Sequence, residues 1–285
     1  MTSRVVAYLG PAGTYTEEAL RAGATERAEL LPVPTVHDAV EAVRRGRAAR
    51  AVVPLENSLE GGVGATLDAL ANQAEEVRIV GETVLAIRHC LIARTGTELD
   101  TVERVISHPQ ALAQCANFLR DRLPAAEPVA APSTADAVRA VSEGPGGVAA
   151  LGSNLSAELY GCVVLADAVQ DRADNLTRFA WLASAGEELA RPPGANKTSI
   201  VFWGFNDESP GALVDILREL SDRSINLTRI ESRPRRVRLG HYMFFADLDG
   251  HEHDPPVREA LRGLRKRVQT LRVLGSYTTA DTDSR

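Results

Sequence analysis

The chain has 285 residues, a length that fits about two domains. With 44% hydrophobic and 25% charged residues it has the balance of a folded globular protein. A formal charge of −6 and only 5% aromatics give neither general attraction to phosphate backbones or anionic lipid nor much stacking surface, so nucleic-acid and membrane-surface roles are not expected. Cys90, Cys115 and Cys162 show no CxxC or Cys/His spacing and read as small buried apolar residues. The opening MTSRVVAYLGPAG is too short in apolar residues for a signal-peptide core, which predicts a cytoplasmic protein.

Strand and helix patterns alternate along the first two-thirds of the chain. Arg4–Leu9 reads as a strand, then Thr14–Ala22 as a helix whose Thr14-x-x-Glu17 fits a capping box. Leu30–Val33 is a strand, Thr35–Arg45 a helix with Val36, Ala39, Val40 and Val43 on one face, Ala51–Pro54 a strand and Val63–Ala71 a helix. Strands at Val77–Val80 and Val84–Ala93 follow with no helix between them. The rhythm resumes with strand Val102–Ile106, helix Pro109–Asp121, strand Pro128–Ala130, helix Thr134–Ser142, strand Val148–Leu151, helix Asn154–Tyr160 and strand Val163–Leu165. A last strand, Arg178–Ala183, closes the region. The alternation predicts a mostly parallel sheet covered on both faces, and its break near 72–94 predicts two α/β lobes around a cleft.

Residues 1–195 carry 17 basic and 25 acidic side chains and residues 196–285 carry 15 and 13, so the balance changes from −8 to +2. The change falls at the ArgProProGlyAlaAsn stretch 191–196, where a domain boundary is expected. Beyond it come strand Ser199–Phe205, helix Pro210–Arg223 with Ser209 as N-cap, strands Ile225–Arg233 and His241–Leu248, helix Pro256–Val268 and strand Thr270–Leu274. That order is β-α-β-β-α-β, the ferredoxin-like plan. The chain therefore divides into 1–190, 197–277 and a polar tail, 278–285.

Four strand-end segments carry more polar or glycine residues than packing needs. Gly10-Pro-Ala-Gly13-Thr14-Tyr15-Thr16 allows a tight turn with helix amides open to an anion. Pro54-Leu-Glu56-Asn57-Ser58-Leu-Glu60-Gly61-Gly62 runs a strand into two carboxylates, an amide and a hydroxyl and then glycines before a helix, at the strand end where parallel sheets bind ligands. Ser107-His108-Pro109-Gln110 leads to Gln114 one helical turn later. Gln170-Asp171-Arg172-Ala-Asp174-Asn175-Leu-Thr177-Arg178-Phe179 is a polar loop that brings a hydroxyl and a guanidinium to a strand entrance. Each alone also reads as a turn, a cap or a solvated loop. His251-x-His253 offers two metal ligands at most, too few to define a site.

The ordered set GPAGTYT, PLENSLEGG, SHPQALAQC and NLTRF, followed by a βαββαβ module with GALV and ESRP, resembles the prephenate dehydratase family, and the second module resembles an ACT regulatory domain. The resemblance implies a two-lobed type II periplasmic-binding-like α/β catalytic domain plus an α+β ferredoxin-like ACT domain. It also implies conversion of prephenate to phenylpyruvate with loss of carbon dioxide and water. Catalytic roles would fall on Thr177, Glu56, Asn57, Ser107 and Gln114. Gly13, Thr14, Tyr15, Thr16, Ser58, Arg178 and Phe179 are expected around the substrate. Neither metal nor cofactor is expected, because the ring that becomes aromatic is itself the electron sink. Feedback by phenylalanine is implied at an ACT–ACT interface, with Gly211, Ala212, Leu213, Val214, Asn226, Glu231, Ser232, Arg233 and Pro234 around the effector, in a homodimer and then a homotetramer. Arogenate dehydration and a non-catalytic amino-acid sensor are the competing expectations.

Overall fold

The computed structural model describes residues 5–24, 27–72, 75–187, 194–205 and 209–280. Lobe 1 begins with β1 (Val5–Leu9), α1 (Tyr15–Gly23), β2 (Glu29–Val33), α2 (Val36–Arg44), β3 (Arg50–Asn57), β4 (Gly61–Gly62), α3 (Gly64–Asn72) and β5 (Val77–Ala86). Residues 87–89 carry the chain into lobe 2: β6 (Cys90–Ala93), β7 (Arg104–Ser107), α4 (Pro109–Gln114), α5 (Ala116–Arg122), β8 (Glu127–Ala130), α6 (Thr134–Glu143), β9 (Val148–Gly152), α7 (Asn154–Leu159) and β10 (Val163–Ala166). The strand expected to close the region does not stay there. As β11 (Leu176–Ser184) it returns to lobe 1 and inserts between β3 and β5.

The sheets are mixed rather than mostly parallel. Lobe 1 has the order β2-β1-β3-β11-β5, parallel through β3 and antiparallel at both β11 pairings. Lobe 2 has the order β10-β6-β9-β7-β8, with β7 parallel to β8 and β9 and the rest antiparallel. A chain that crosses to a second lobe and back must send its returning strand in reversed. Both crossings are tied together, with the Ile87 amide on the Asn175 carbonyl at 2.8 Å and the Val169 amide on the His89 carbonyl at 2.8 Å.

Local sequence rules explain most element ends. Thr35 caps α2 by accepting the Asp38 amide at 3.1 Å, and Val36, Ala39, Val40 and Val43 are all buried. The helix expected over 109–121 breaks at Cys115 instead. The Gln114 carbonyl accepts the Asp171 amide at 2.7 Å, and the Asp171 carboxylate takes the Asn117 amide, so a segment from the returning crossing starts α5 afresh. The expected capping box is also displaced. Thr14 makes no side-chain cap, and Glu17 reaches past it to the Gly13 amide at 2.7 Å. Burial pushes the Cys90 and Cys115 thiols up to about 12.

The C-terminal domain comprises β12 (Asn196–Trp203), α8 (Ala212–Ser221), β13 (Leu227–Pro234), β14 (Tyr242–Asp249), α9 (Pro255–Arg265) and β15 (Thr270–Thr278), in sheet order β13-β14-β12-β15. Its α8 is capped by Gly211 in a left-handed conformation, not by Ser209. Residues 191–193 of the expected boundary and 281–285 of the expected tail lie outside the described residues. One sheet face packs α8 and α9 through Ile200, Phe202, Ile216, Leu220, Leu248 and Leu264. The other face, with Val201, Met243, Phe245, Leu274 and Tyr277, enters one continuous core with lobe 1. The C-terminal sheet is thus buried on both sides. Among the described residues no helix is long and apolar enough to cross a membrane.

Candidate active site

A cleft of about 350 Å³ opens between the lobes, at the carboxyl ends of β1, β2, β3, β7 and β8. This is the edge where such sheets place ligands. Lobe 1 contributes Thr14, Tyr15, Thr16, Asn57, Thr177 and Phe179, and lobe 2 contributes His108, Gln110, Gln114, Ser133 and Thr134. His89 and Asn175 line it from the two crossings.

Cross-strand register builds the centre of the site. β3 and β11 pair Asn57 with Thr177. Asn57 Oδ1 accepts the Leu59 and Glu60 amides at 3.0 and 3.1 Å, which fixes the carboxamide so that Nδ2 faces β11. Nδ2 donates to Thr177 Oγ1 at 2.9 Å and to Asn175 Oδ1 at 2.7 Å. Thr177 Oγ1 is therefore an acceptor toward the protein, and its own hydrogen has no acceptor among the described residues.

From there a side-chain chain crosses the cleft floor. Asn175 Nδ2 donates to Gln114 Oε1 at 3.0 Å, and the same oxygen lies 3.1 Å from His89 Nε2. His89 Nδ1 lies 2.8 Å from the Tyr15 hydroxyl. Burial holds the His89 pKa below its usual value, against a smaller opposing effect of the Gln114 bond, so the ring is neutral near pH 7. Burial, with Glu18 adding, keeps the Tyr15 phenol protonated. The Tyr15 hydroxyl also donates to the Arg88 carbonyl at 2.8 Å, so its single hydrogen is shared between that oxygen and His89 Nδ1, while His89 Nε2 faces the Gln114 Oε1 acceptor. Gln114 Nε2 is left buried and without a partner among the described residues, a donor that a bound anion would satisfy.

Several expected site residues stand elsewhere. Ser107 is fully buried beneath the cleft and donates to the Leu151 carbonyl at 2.7 Å, fixing β7 against β9. Ser58 bridges strand ends, donating to the Asp174 carbonyl and accepting the Leu176 amide. Gly13 does not line the cleft, and its amide is taken by Glu17. Glu56 and Arg178 face the opposite side of the lobe 1 sheet, toward the C-terminal domain, because strand neighbours alternate faces. Phe179 alternates back and forms the buried floor. His108 caps α4, accepting the Gln110 amide at 3.3 Å.

The polar cleft residues His89, Ser133, Thr134 and Asn175 lie outside the site residues expected from the sequence. Asn175 sat inside a quoted motif but read as strand entrance, and His89 had no motif at all. The one available signal was a lone histidine inside the apolar run Val84–Ala93, since a buried polar ring needs partners.

In the C-terminal domain, Gly211–Val214 open α8 and Glu231–Pro234 end β13. Trp203, just before the α8 loop, and Arg233 flank Met243 in one row of the sheet, so both segments sit at the same sheet end. Glu231 and Arg233 turn toward lobe 1, Arg233 pairing with Asp68 of α3 at 2.8 and 3.0 Å. Ser232 and Pro234 are exposed, and Asn226 donates to Asp249 at 2.9 Å.

A bilobal α/β cleft lined by neutral donors, backed by a ferredoxin-like domain, defines a small-molecule enzyme with an attached regulatory module. Family models agree, with prephenate dehydratase matching residues 6–187 and the ACT domain matching 199–266. The prephenate dehydratase of Amycolatopsis methanolica is 42% identical over 276 residues, covering 97% of this chain and 89% of the relative. The crystal structure of prephenate dehydratase in complex with L-Phe from Arthrobacter aurescens is 41% identical with a TM-score of 0.90, covering 98% of this chain and 91% of that one. A structure described as a novel type of quorum quenching acylase is 33% identical with a TM-score of 0.87, covering 97% and 98%. The chain belongs to the prephenate dehydratase family and carries an ACT domain.

Proposed function

We infer that the cleft carries out the family's reaction on prephenate, with Thr177 as hydrogen-bond donor to the departing hydroxyl. Prephenate loses its ring carboxylate as carbon dioxide, and the electron pair of that C–C bond enters the ring and expels the hydroxyl opposite. The hydroxyl takes up one proton and leaves as water, so a dianion plus a proton becomes phenylpyruvate, carbon dioxide and water. The observation behind the assignment is the fixed Asn57 carboxamide, which makes Thr177 accept and so leaves its hydrogen for the leaving oxygen. A threonine does not give up a proton at neutral pH, so its contribution is a positioned donor strengthening as charge develops.

The substrate's carboxylates meet no lysine or arginine among the described cleft residues. Their holders are neutral donors, namely Gln114 Nε2 and the uncapped first turn of α1 at Thr14–Thr16. The same lining has no aspartate or glutamate to receive the ammonium of arogenate, which favours the keto acid. Acyl hydrolysis needs an activated nucleophile. Thr177 is paired with an amide rather than a base, and His89 is engaged by Tyr15 and Gln114.

We assign residues 1–190 to catalysis and 197–277 to regulation by phenylalanine, bound near Gly211–Val214 and Ser232–Pro234 where two ACT domains pair, in the cytoplasm. The pairing is supported by the position of β13 at the sheet edge and by exposed Val214, Ile230 and Tyr242 beside it. The deciding experiment is Thr177→Ala with prephenate as substrate. Turnover should fall about a hundred- to thousandfold with thermal unfolding unchanged, and near-normal turnover would remove Thr177 from its role.

A further inference from the structure

We propose that Arg178 is a positioning residue that couples the ACT domain to the Asn57–Thr177 pair. The proposal rests on the reading that this pair acts in the cleft and that phenylalanine acts through the ACT domain. Along β11, Thr177 faces the cleft and Arg178 the C-terminal domain; along β3, Asn57 and Glu56 divide the same way. Each cleft residue thus has its covalent neighbour in the inter-domain layer.

Arg178 holds that layer together. Its Nη2 donates to Asp247 Oδ2 on β14 at 2.6 Å and lies 2.9 Å from Glu56 Oε2, and its Nη1 lies 3.1 Å from Glu82 Oε2 on β5. Lys197 joins Glu82 at 3.0 Å, and Arg229 reaches Glu56 at 3.5 Å. Arg178 is 8% exposed and Asp247 2%. Burial works to raise the Asp247 carboxyl, but Arg178 and Arg229 outweigh it and hold it below the usual carboxylate range. Charges this deep are tolerated only while paired, so a shift of β14 must either carry Arg178 along or leave Asp247 with only Ser199 and Arg229 of its own domain.

Two further features direct that motion to the site. β3 and β11 lose register between Arg178 and Phe179, a bulge directly beside Thr177 where the pairing can give. On β13, Arg229, Glu231 and Arg233 turn inward, two of them onto Glu56 and Asp68 of lobe 1, while Ile230, Ser232 and Pro234 face out. One strand therefore touches both the expected effector face and the charge cluster. A change in ACT packing reaches Thr177 through the buried Arg178–Asp247 and Arg178–Glu82 pairs.

The test uses the full-length protein with Asp247→Asn and Glu56→Gln, measuring phenylalanine binding by calorimetry beside inhibition of prephenate turnover. Binding should stay within about threefold of wild type, while residual activity at saturating phenylalanine rises at least threefold. Should Asp247→Asn not fold, Glu56→Gln, whose side chain is 35% exposed, decides by the same criterion. Undiminished inhibition in the folded variants overturns the coupling alone. Absence of inhibition in the wild type overturns the regulatory reading and the coupling with it.

Discussion

Thr177 and Arg178 are consecutive on β11 yet serve opposite faces of one sheet, Thr177 lining the cleft and Arg178 bonded to Asp247 of the ACT domain. The separation follows from the two-residue period of a strand. The same alternation on β3 opposes Asn57 to Thr177 and Glu56 to Arg178.

Asn57→Asp replaces the donor on Thr177 with an acceptor. Thr177 then turns its hydrogen to the new carboxylate and no longer offers it to the leaving hydroxyl. Steady-state kinetics should show kcat down by about a hundred- to thousandfold with KM little changed. A retained kcat would mean that the orientation of Thr177 is not set by Asn57.

Gln114→Glu keeps the oxygen that receives Asn175 and His89 but deletes the free Nε2 donor. A hydrogen bond to a charged partner is worth about 1.5–3 kcal/mol. KM for prephenate should therefore rise about ten- to a hundredfold, more than kcat falls. An unchanged KM would show that the donor does not meet substrate.

The lowered His89 pKa makes a signed prediction. Below its usual 6.5 the unfolded chain binds this proton more readily than the folded one. The stability His89 contributes is complete above pH 6.5 and is lost as pH falls through the lowered folded value. Melting temperatures of wild type and His89→Gln across pH 5 to 8 should show a component of acid destabilisation present in the first and missing in the second. Identical profiles would contradict a buried neutral His89.

Gly275 lies where β15 crosses β5, and a Cβ there would sit 2.0 Å from the Ile79 carbonyl oxygen. Gly275→Ala must push the ACT sheet off lobe 1. Overpacking of this kind costs about 1–3 kcal/mol, visible as a melting midpoint lower by a few degrees. Phenylalanine inhibition should weaken along with it, because the charge cluster spans the same interface.

Element order, the two-lobe division and the βαββαβ module were legible because periodicity and turn chemistry are local. The strand-end segments were legible too, since chain reversals at a sheet's edge need glycine, proline and small polar residues there. Ser107 shows the limit. Its motif marked the right strand end, but only packing against Leu151 decides whether a hydroxyl at that point is buried or lines the cleft.

By itself the sequence determined the family, the elements and the polar residues gathered at strand ends, since these depend on residue type and spacing along the chain. The tertiary structure alone decided that β11 returns to lobe 1, that His89 and Asn175 complete the polar chain, and that Glu56 and Arg178 belong to the domain junction. Each of those outcomes is a contact between residues far apart in sequence, and which side of a sheet a side chain serves is settled only when a distant strand pairs beside it.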